Sequence, residues 1–367
     1  MTKILRLISL IAMCFILSNA MMLSAFAKSE NGSGILCVAH CGDTVGYESN
    51  SKEAVLSAFE KGADLVSVNI IKTADGEFVL CSDNNAEACG ISLGEMLDLL
   101  GEDEALILDF AYELKDEIYG FIESRNAFSS AVLRINDSAD NIVSWLRDKN
   151  ENLQVIGVYD SFVVFTAISH IKTLGDADMQ IVGYGSKNYF NEMFGSFVSG
   201  TLKQDNMPKA MISTYDPDLC GQRSDSEDGW NDLIKKGYSV IETNNLDALL
   251  RYISSNSLIR SELNDVYEKA LLIEADRYNT VSRDNLTNAA EAAKMLLDSP
   301  FASSDEMQSA ASRLILAMEN LALKTDGDNQ KGALNITPGK VIATVLVGMA
   351  ILAAQIYTYK MQKHKKK

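Results

Sequence analysis

From Ile35 onward the chain alternates short apolar, β-rich runs with longer stretches whose apolar residues recur at helical spacing. Such alternation is the pattern of βα units that assemble a parallel sheet. It predicts eight strands, at Ile35–Ala39, Leu65–Ile70, Ala105–Phe110, Ala131–Arg134, Gln154–Tyr159, Met179–Gly183, Lys209–Thr214 and Ser239–Thr243. Between them it predicts helices such as Lys52–Lys61, Ile142–Asp148, Phe162–Leu174 and Trp230–Lys236. Eight repeats in roughly 220 residues fit an α/β fold closed as a (β/α)8 TIM barrel better than an open doubly wound sheet. We place this barrel at residues 28–257.

Beyond Leu258 the pattern becomes purely helical. Leu263–Tyr278, Arg283–Leu297 and Ser304–Leu323 carry apolar residues at helical spacing, with Ser299-Pro300 and Ser303-Ser304 as break and cap. These predict a small three-helix bundle over 258–323. Residues 324–340 are mostly polar with interspersed glycines and read as a stalk.

The two ends carry membrane signals. Lys3 and Arg6 precede an apolar run from Leu7 to Leu17, and Ser24-Ala25-Phe26-Ala27 follows as a small-residue cleavage site, so 1–27 reads as a secretory signal peptide. Val341–Tyr359 is uncharged and almost wholly apolar; a helix of that length reaches about 28 Å, close to a bilayer core. A basic tail over 360–367 follows and, by the positive-inside rule, faces the cytoplasm. The expectation is a single-pass cell-membrane protein with its N-terminal domain outside.

Charge narrows the partners. The formal net charge is −17, and setting aside the eight positive charges of the two ends leaves −25 on residues 28–339. So acidic a surface disfavours nucleic acid and anionic polymers. The cysteines of that segment, Cys37, Cys41, Cys81, Cys89 and Cys220, are odd in number, which requires an unpaired thiol or an intermolecular bond. Their spacing lacks CxxC, which argues against structural zinc. Cys37 and Cys81, in apolar strand-like runs, read as buried small hydrophobes.

The segment from Cys37 to Asp83 resembles the opening of the glycerophosphodiester phosphodiesterase family, of the phospholipase-C-like TIM-barrel type. The shared scaffold residues are His40, Gly42, Asn50, Ser51, Ala58-Phe59, Gly62-Ala63-Asp64, Thr73, Asp75-Gly76, Val79 and Asp83. GYSVIETNNLDALLRYI is similar to the family's last strand and helix, so the resemblance spans about Ile35–Ile253. Residues 263–321 resemble the FIVAR module of bacterial surface proteins, through Tyr278, Ser282, Leu286, Ala290, Ala293, Leu297, Leu314, Ala317 and Leu321. That module reads as a spacer or as a unit with a ligand of its own.

The resemblance implies two histidines as general acid and base, an arginine that holds phosphate, and carboxylates that bind a divalent cation. Here the arginine position is Cys41, the Glu-x-Asp pair is Ser67 and Asn69, and the second histidine is Ser82. His40 is the one retained acid/base candidate, since a serine hydroxyl is a poor proton shuttle near neutral pH. Cys41 and Asn50 stand at the expected substrate-binding positions. Asp109 falls where the family has a glutamate on strand three, either as a residual metal ligand or as a carboxylate hydrogen-bonded at a strand end; with Ser67 and Asn69 neutral, calcium or magnesium binding is expected to be weak or lost. A nucleophilic Cys41 paired with His40 is disfavoured, because adjacent residues on a strand face opposite sides; the favoured reading of Cys41 is a small space-filler. The family's cap insertion is shortened to Asn84–Gly90, which predicts an open mouth.

These features predict a membrane-anchored extracellular barrel with impaired chemistry, a binding or structural module for a phosphodiester or other cell-surface ligand, without a cofactor. The alternative is an active phosphoric diester hydrolase that uses His40, Asp109 and Asp83 with calcium or magnesium on glycerophosphodiesters or related lipid and wall substrates. The protein partner is open.

Overall fold

The computed structural model describes residues 34–81, 90–159, 164–184, 198–204, 206–215 and 225–324. The strands are β1 (Leu36–His40), β2 (Leu65–Lys72), β3 (Phe78–Leu80), β4 (Leu106–Asp109), β5 (Ala131–Asn136), β6 (Gln154–Tyr159), β7 (Ile181–Tyr184), β8 (Lys209–Ser213) and β9 (Tyr238–Thr243). The hydrogen-bonded order β1-β9-β8-β7-β6-β5-β4-β2 closes through the β1–β2 pairing, and every pair in that ring is parallel. Eight parallel strands closed on themselves, with helices between them, make a (β/α)8 barrel.

β3 is an addition to the predicted set. It pairs antiparallel with the end of β2 after the turn at Gly76, whose φ of 88° lies in the left-handed region. Three residues are too few to show an alternation, so this hairpin is invisible to pattern reading.

The helices are α1 (Lys52–Lys61), α2 (Leu93–Leu99), α3 (Lys115–Arg125), α4 (Ala139–Leu146), α5 (Val164–Asp176), α6 (Glu227–Lys235), α7 (Leu246–Leu271), α8 (Thr280–Asp298) and α9 (Ser304–Glu319). α1 begins where Ser51 accepts from the Ala54 amide at 3.1 Å and ends at Gly62 with φ 104°. α2 opens on a capping box between Ser92 and Glu95.

Alternation along the strands sorts the core into two shells. Outward side chains such as Cys37, Val66, Leu108, Leu133 and Ile241 pack beneath the helices with Trp230, Leu233 and Leu249. Inward side chains from the N-terminal halves of the strands, among them Leu36, Val38, Leu65, Ile107, Val132 and Val240, form a separate apolar cluster that fills the barrel floor. Each of these is 1% exposed or less, and burying a side chain of that size contributes about 1.5–3 kcal/mol.

The chain divides into two compact units, one of residues 1–261 with 296–304 and one of 262–295 with 305–367. In the second, α8 and α9 bury Leu286, Ala293, Met307, Ala310 and Leu314. A bridge between Tyr278 and Leu323 ties its ends, and the Ser282 hydroxyl accepts from the Ala322 amide at 3.2 Å. Among the described residues no helix is long and apolar enough to cross a membrane. The expected signal peptide and the expected span at 341–359 lie outside the described residues.

Candidate functional site

One pleat above the apolar floor, the inward positions turn polar. They are His40 on β1, Ser67 and Asn69 on β2, Asp109 on β4, Arg134 on β5, Ser213 on β8 and Glu242 on β9. Register aligns them: His40 faces Ser67, Asn69 faces Asp109 and Ser213 faces Glu242 across neighbouring strands. His40, Asp109, Ser213 and Glu242 stand at or next to the C-terminal ends of their strands, and register or ion pairing sets Ser67, Asn69 and Arg134 level with them, toward the rim where barrel active sites assemble.

The center of this layer is Arg134. Its Nη1 donates to Asp109 at 3.0 Å and its Nη2 to Glu242 at 3.0 Å. Glu242 is fully buried and also accepts from the Ser213 hydroxyl. The second charge pair is His40 with Glu242, Nδ1 to Oε1 at 3.4 Å, and the same nitrogen lies 3.3 Å from the Ser67 hydroxyl. The Tyr215 ring stacks on the His40 imidazole with centroids 3.6 Å apart and planes 12° from parallel.

Electrostatics follow from this enclosure. Burial alone would lower the His40 pKa, but its hydrogen bonds to Cys41 and Glu242 and the Glu242 charge raise it to about 9. Burial pushes Glu242 up, yet the Arg134 charge and the His40 contact outweigh it and hold the carboxyl well below the usual range. Asp109 is raised to about 6, by burial first and by the Glu242 charge, against the lowering effect of Arg134. At neutral pH two cations and two carboxylates therefore cancel within one layer.

The loop after β1 explains where Cys41 sits. β1 ends at His40, and Cys41 and Gly42 both turn left-handed, with φ of 58° and 88°. The Cys41 amide donates to the Ser67 carbonyl at 2.8 Å, and the Asn50 amide donates to the Cys41 carbonyl at 3.0 Å. A Cβ on Gly42 would fall 2.6 Å from the Ala54 carbonyl carbon, so only glycine lets the loop close on α1. Because Cys41 has left the strand, the rule of opposite faces does not apply, and its Sγ lies 3.3 Å from His40 Nε2. This corrects the sequence expectation that the two side chains diverge.

Two further expectations change. Asn50, expected to bind substrate, is 2% exposed and its Oδ1 accepts from the Asn69 amide at 2.9 Å, so it braces the loop. Cys81 is buried as expected, but it is disulfide-bonded and not a free thiol, with its partner outside the described residues; Cys37 and Cys41 are free. Ser82, Asp83 and the short Asn84–Cys89 segment also lie outside the described residues.

The arrangement does not suit a hard divalent cation, which seeks several anionic oxygens. Ser67 and Asn69 are neutral, and Asp109 and Glu242 are both ion-paired to Arg134. Among the described residues no group of three or more His, Cys, Asp or Glu side chains could hold a metal. A guanidinium thus stands between the two carboxylates.

Sequence reading passed over Arg134, Ser213, Tyr215 and Glu242. The available signal was a charge inside an apolar strand run, Arg134 in AVLRIN and Glu242 in YSVIET. Such a charge needs a buried partner.

The class defined so far is a parallel (β/α)8 barrel with a compensated charge cluster at its C-terminal rim. No family model matches the chain, and no curated protein matches it. Solved structures do resemble it. A glycerophosphodiester phosphodiesterase from Thermotoga maritima is 14% identical, with 59% of this chain and 97% of that one covered and a TM-score of 0.44. A glycerophosphoryl diester phosphodiesterase from Parabacteroides distasonis is 15% identical, with 60% and 86% covered and a TM-score of 0.46. An Oleispira antarctica phosphodiesterase in complex with sn-glycerol-3-phosphate is 13% identical, with 61% and 98% covered and a TM-score of 0.43. Likeness at this level concerns the fold, and the barrel rests on the strand pairing of this chain itself.

Proposed function

We propose that this chain is a membrane-anchored, extracellular protein whose barrel keeps a phosphodiesterase-like frame without phosphodiester chemistry, and serves as a binding or structural module. The observation that carries this reading is the ion cluster of Arg134 with Asp109 and Glu242. It occupies Asp109, Glu242 and the guanidinium at once, so that none of these three groups is free to hold a metal or a phosphate. In-line displacement at phosphorus also needs a proton donor and a proton acceptor, each worth about 10²- to 10⁴-fold. His40 supplies one such group, and the other histidine of the described residues, His170, sits midway along α5. The helical unit, FIVAR-like in sequence, acts as a spacer between barrel and membrane.

The test uses the full chain in mild detergent with glycerophosphocholine and glycerophosphoglycerol, with calcium or magnesium. Turnover no higher than that of His40→Ala is expected, as is a melting temperature unchanged by either cation. A cation present at 100 times its Kd would stabilise by about 2.7 kcal/mol. Turnover that disappears in His40→Ala overturns this reading in favour of an active phosphoric diester hydrolase using His40, Asp109 and Asp83.

A further inference from the structure

We propose that Cys41 is a nucleophile toward small acyl esters and thioesters, with His40 as its proton partner, Glu242 orienting His40 and Asn69 donating to the oxyanion. Cys41 Sγ lies 3.3 Å from His40 Nε2, and the opposite ring nitrogen lies 3.4 Å from Glu242 Oε1. That is the thiol–imidazole–carboxylate order of a nucleophilic triad, with distances of the looser kind found before substrate binds. Arg134 and Ser213 fix the carboxylate, and Tyr215 holds the imidazole plane from the side. The Asn69 amide nitrogen is 3.7 Å from Sγ, placing a donor beside any carbonyl that the sulfur attacks.

Asn69 is also a wall of a cleft of about 680 Å³, lined by Ile70, Phe110 and Leu114 together with the charged Lys72, Asp109 and Glu113. A cleft so mixed in polarity suits a short acyl group. Cys41 is only 3% exposed, which limits any substrate to a small one.

The step balances without an oxidant or a metal. As the Cys41 sulfur attacks the carbonyl carbon its thiol proton passes to His40 Nε2, the C–S bond forms, and the leaving alkoxide or thiolate takes that proton as its bond to the carbonyl carbon breaks. His40 then draws a proton from water, the resulting hydroxide attacks the thioester, and the departing sulfur takes the proton back as the carboxylic acid is released. The proposal is independent of the binding-module reading, because it concerns attack at carbon and not at phosphorus.

The probe is p-nitrophenyl acetate with the full chain in mild detergent. A burst of one equivalent of p-nitrophenolate is expected, with a hydroxylamine-labile acetyl group on Cys41 by peptide mass spectrometry and none in Cys41→Ser. Acylation should slow by about 10²-fold in His40→Gln and in Asn69→Ala. Between pH 6 and 8 acylation of the wild type should stay above that of His40→Gln at every pH, because the variant lacks the proton acceptor beside Cys41 Sγ. Melting curves identify any variant that fails to fold. The wild-type result alone decides: if Cys41 reacts no faster than N-acetylcysteine at the same pH, or if the label lies on Cys37 or lysines, the proposal is overturned.

Discussion

The two ends of the barrel interior are built from the same eight strands and differ by one pleat. At the floor, Leu36, Leu65, Ile107 and Val240 meet as apolar surfaces with no directional requirement. At the mouth, His40, Asp109, Arg134 and Glu242 meet as charges whose enclosure is tolerable only because each satisfies another. The floor is stabilised in proportion to the area removed from water and degrades gradually when atoms are lost. The mouth contributes little net stability beyond an apolar equivalent, yet losing one partner strands the others.

The sharpest way to break this comparison is to remove Glu242. Glu242→Ala leaves Arg134 and His40 without their shared buried carboxylate, and a loss of about 3–5 kcal/mol is expected in denaturant unfolding. Arg134→Met combined with Glu242→Leu should recover only part of that loss, because the pair is gone but Asp109 and His40 have each lost the partner that compensated them. An additive double mutant would show that the two residues do not act as a unit.

Next in size is the pH dependence confined to the mouth. The folded-state pKa of His40 lies above its unfolded value, at about 9 against 6.5. Its stabilisation is fully present below pH 6.5 and is lost as pH rises through 9, for a total of about 3 kcal/mol. Glu242 behaves oppositely: its depressed pKa gives stability above pH 4.5 that is lost as pH falls. Unfolding free energies measured from pH 6 to 9, below the range in which the raised pKa of buried Cys37 adds its own decline, should fall in the wild type and stay nearly flat in His40→Gln. A decline that survives the substitution would assign it elsewhere.

Gly42→Ala tests the turn that aims Cys41 at His40. The new Cβ would meet the Ala54 carbonyl carbon at 2.6 Å, with φ already at +88°. A cost of about 2 kcal/mol or more is expected, together with slower alkylation of Cys41 by iodoacetamide. The smallest effect belongs to the floor: Ile107→Val should cost about 1 kcal/mol, with no change in thiol reactivity or in the pH profile.

Much of the barrel is legible along the chain because periodicity is a local property. Lys52–Lys61 coincides with α1, and Gln154–Tyr159 with β6. Elsewhere the ends shift by a few residues: the helix predicted at Ile142–Asp148 runs over Ala139–Leu146, started by Ser138 accepting from the Asn141 amide. α7 runs from Leu246 to Leu271, past the change of texture at Leu258, since composition can change without a helix breaker. The site was legible only in part. His40, Ser67 and Asn69 are reached through the opening motif and Asp109 through the third predicted strand, but Arg134 and Glu242 are 108 residues apart and belong to no common motif. Cys41 was misplaced because one left-handed residue cancels the alternation on which the expectation rested.

By itself, the sequence determined the αβ repeat, the apolar content of the barrel wall and the uncharged residues at positions 41, 67, 69 and 82. Only the tertiary structure decided which charges meet at the mouth. Closure of the ring brings the ends of β4, β5 and β9 to one axis, so that a guanidinium from one strand neutralises carboxylates from two others. Charge compensation depends on distance in space, and spacing along the chain does not record it.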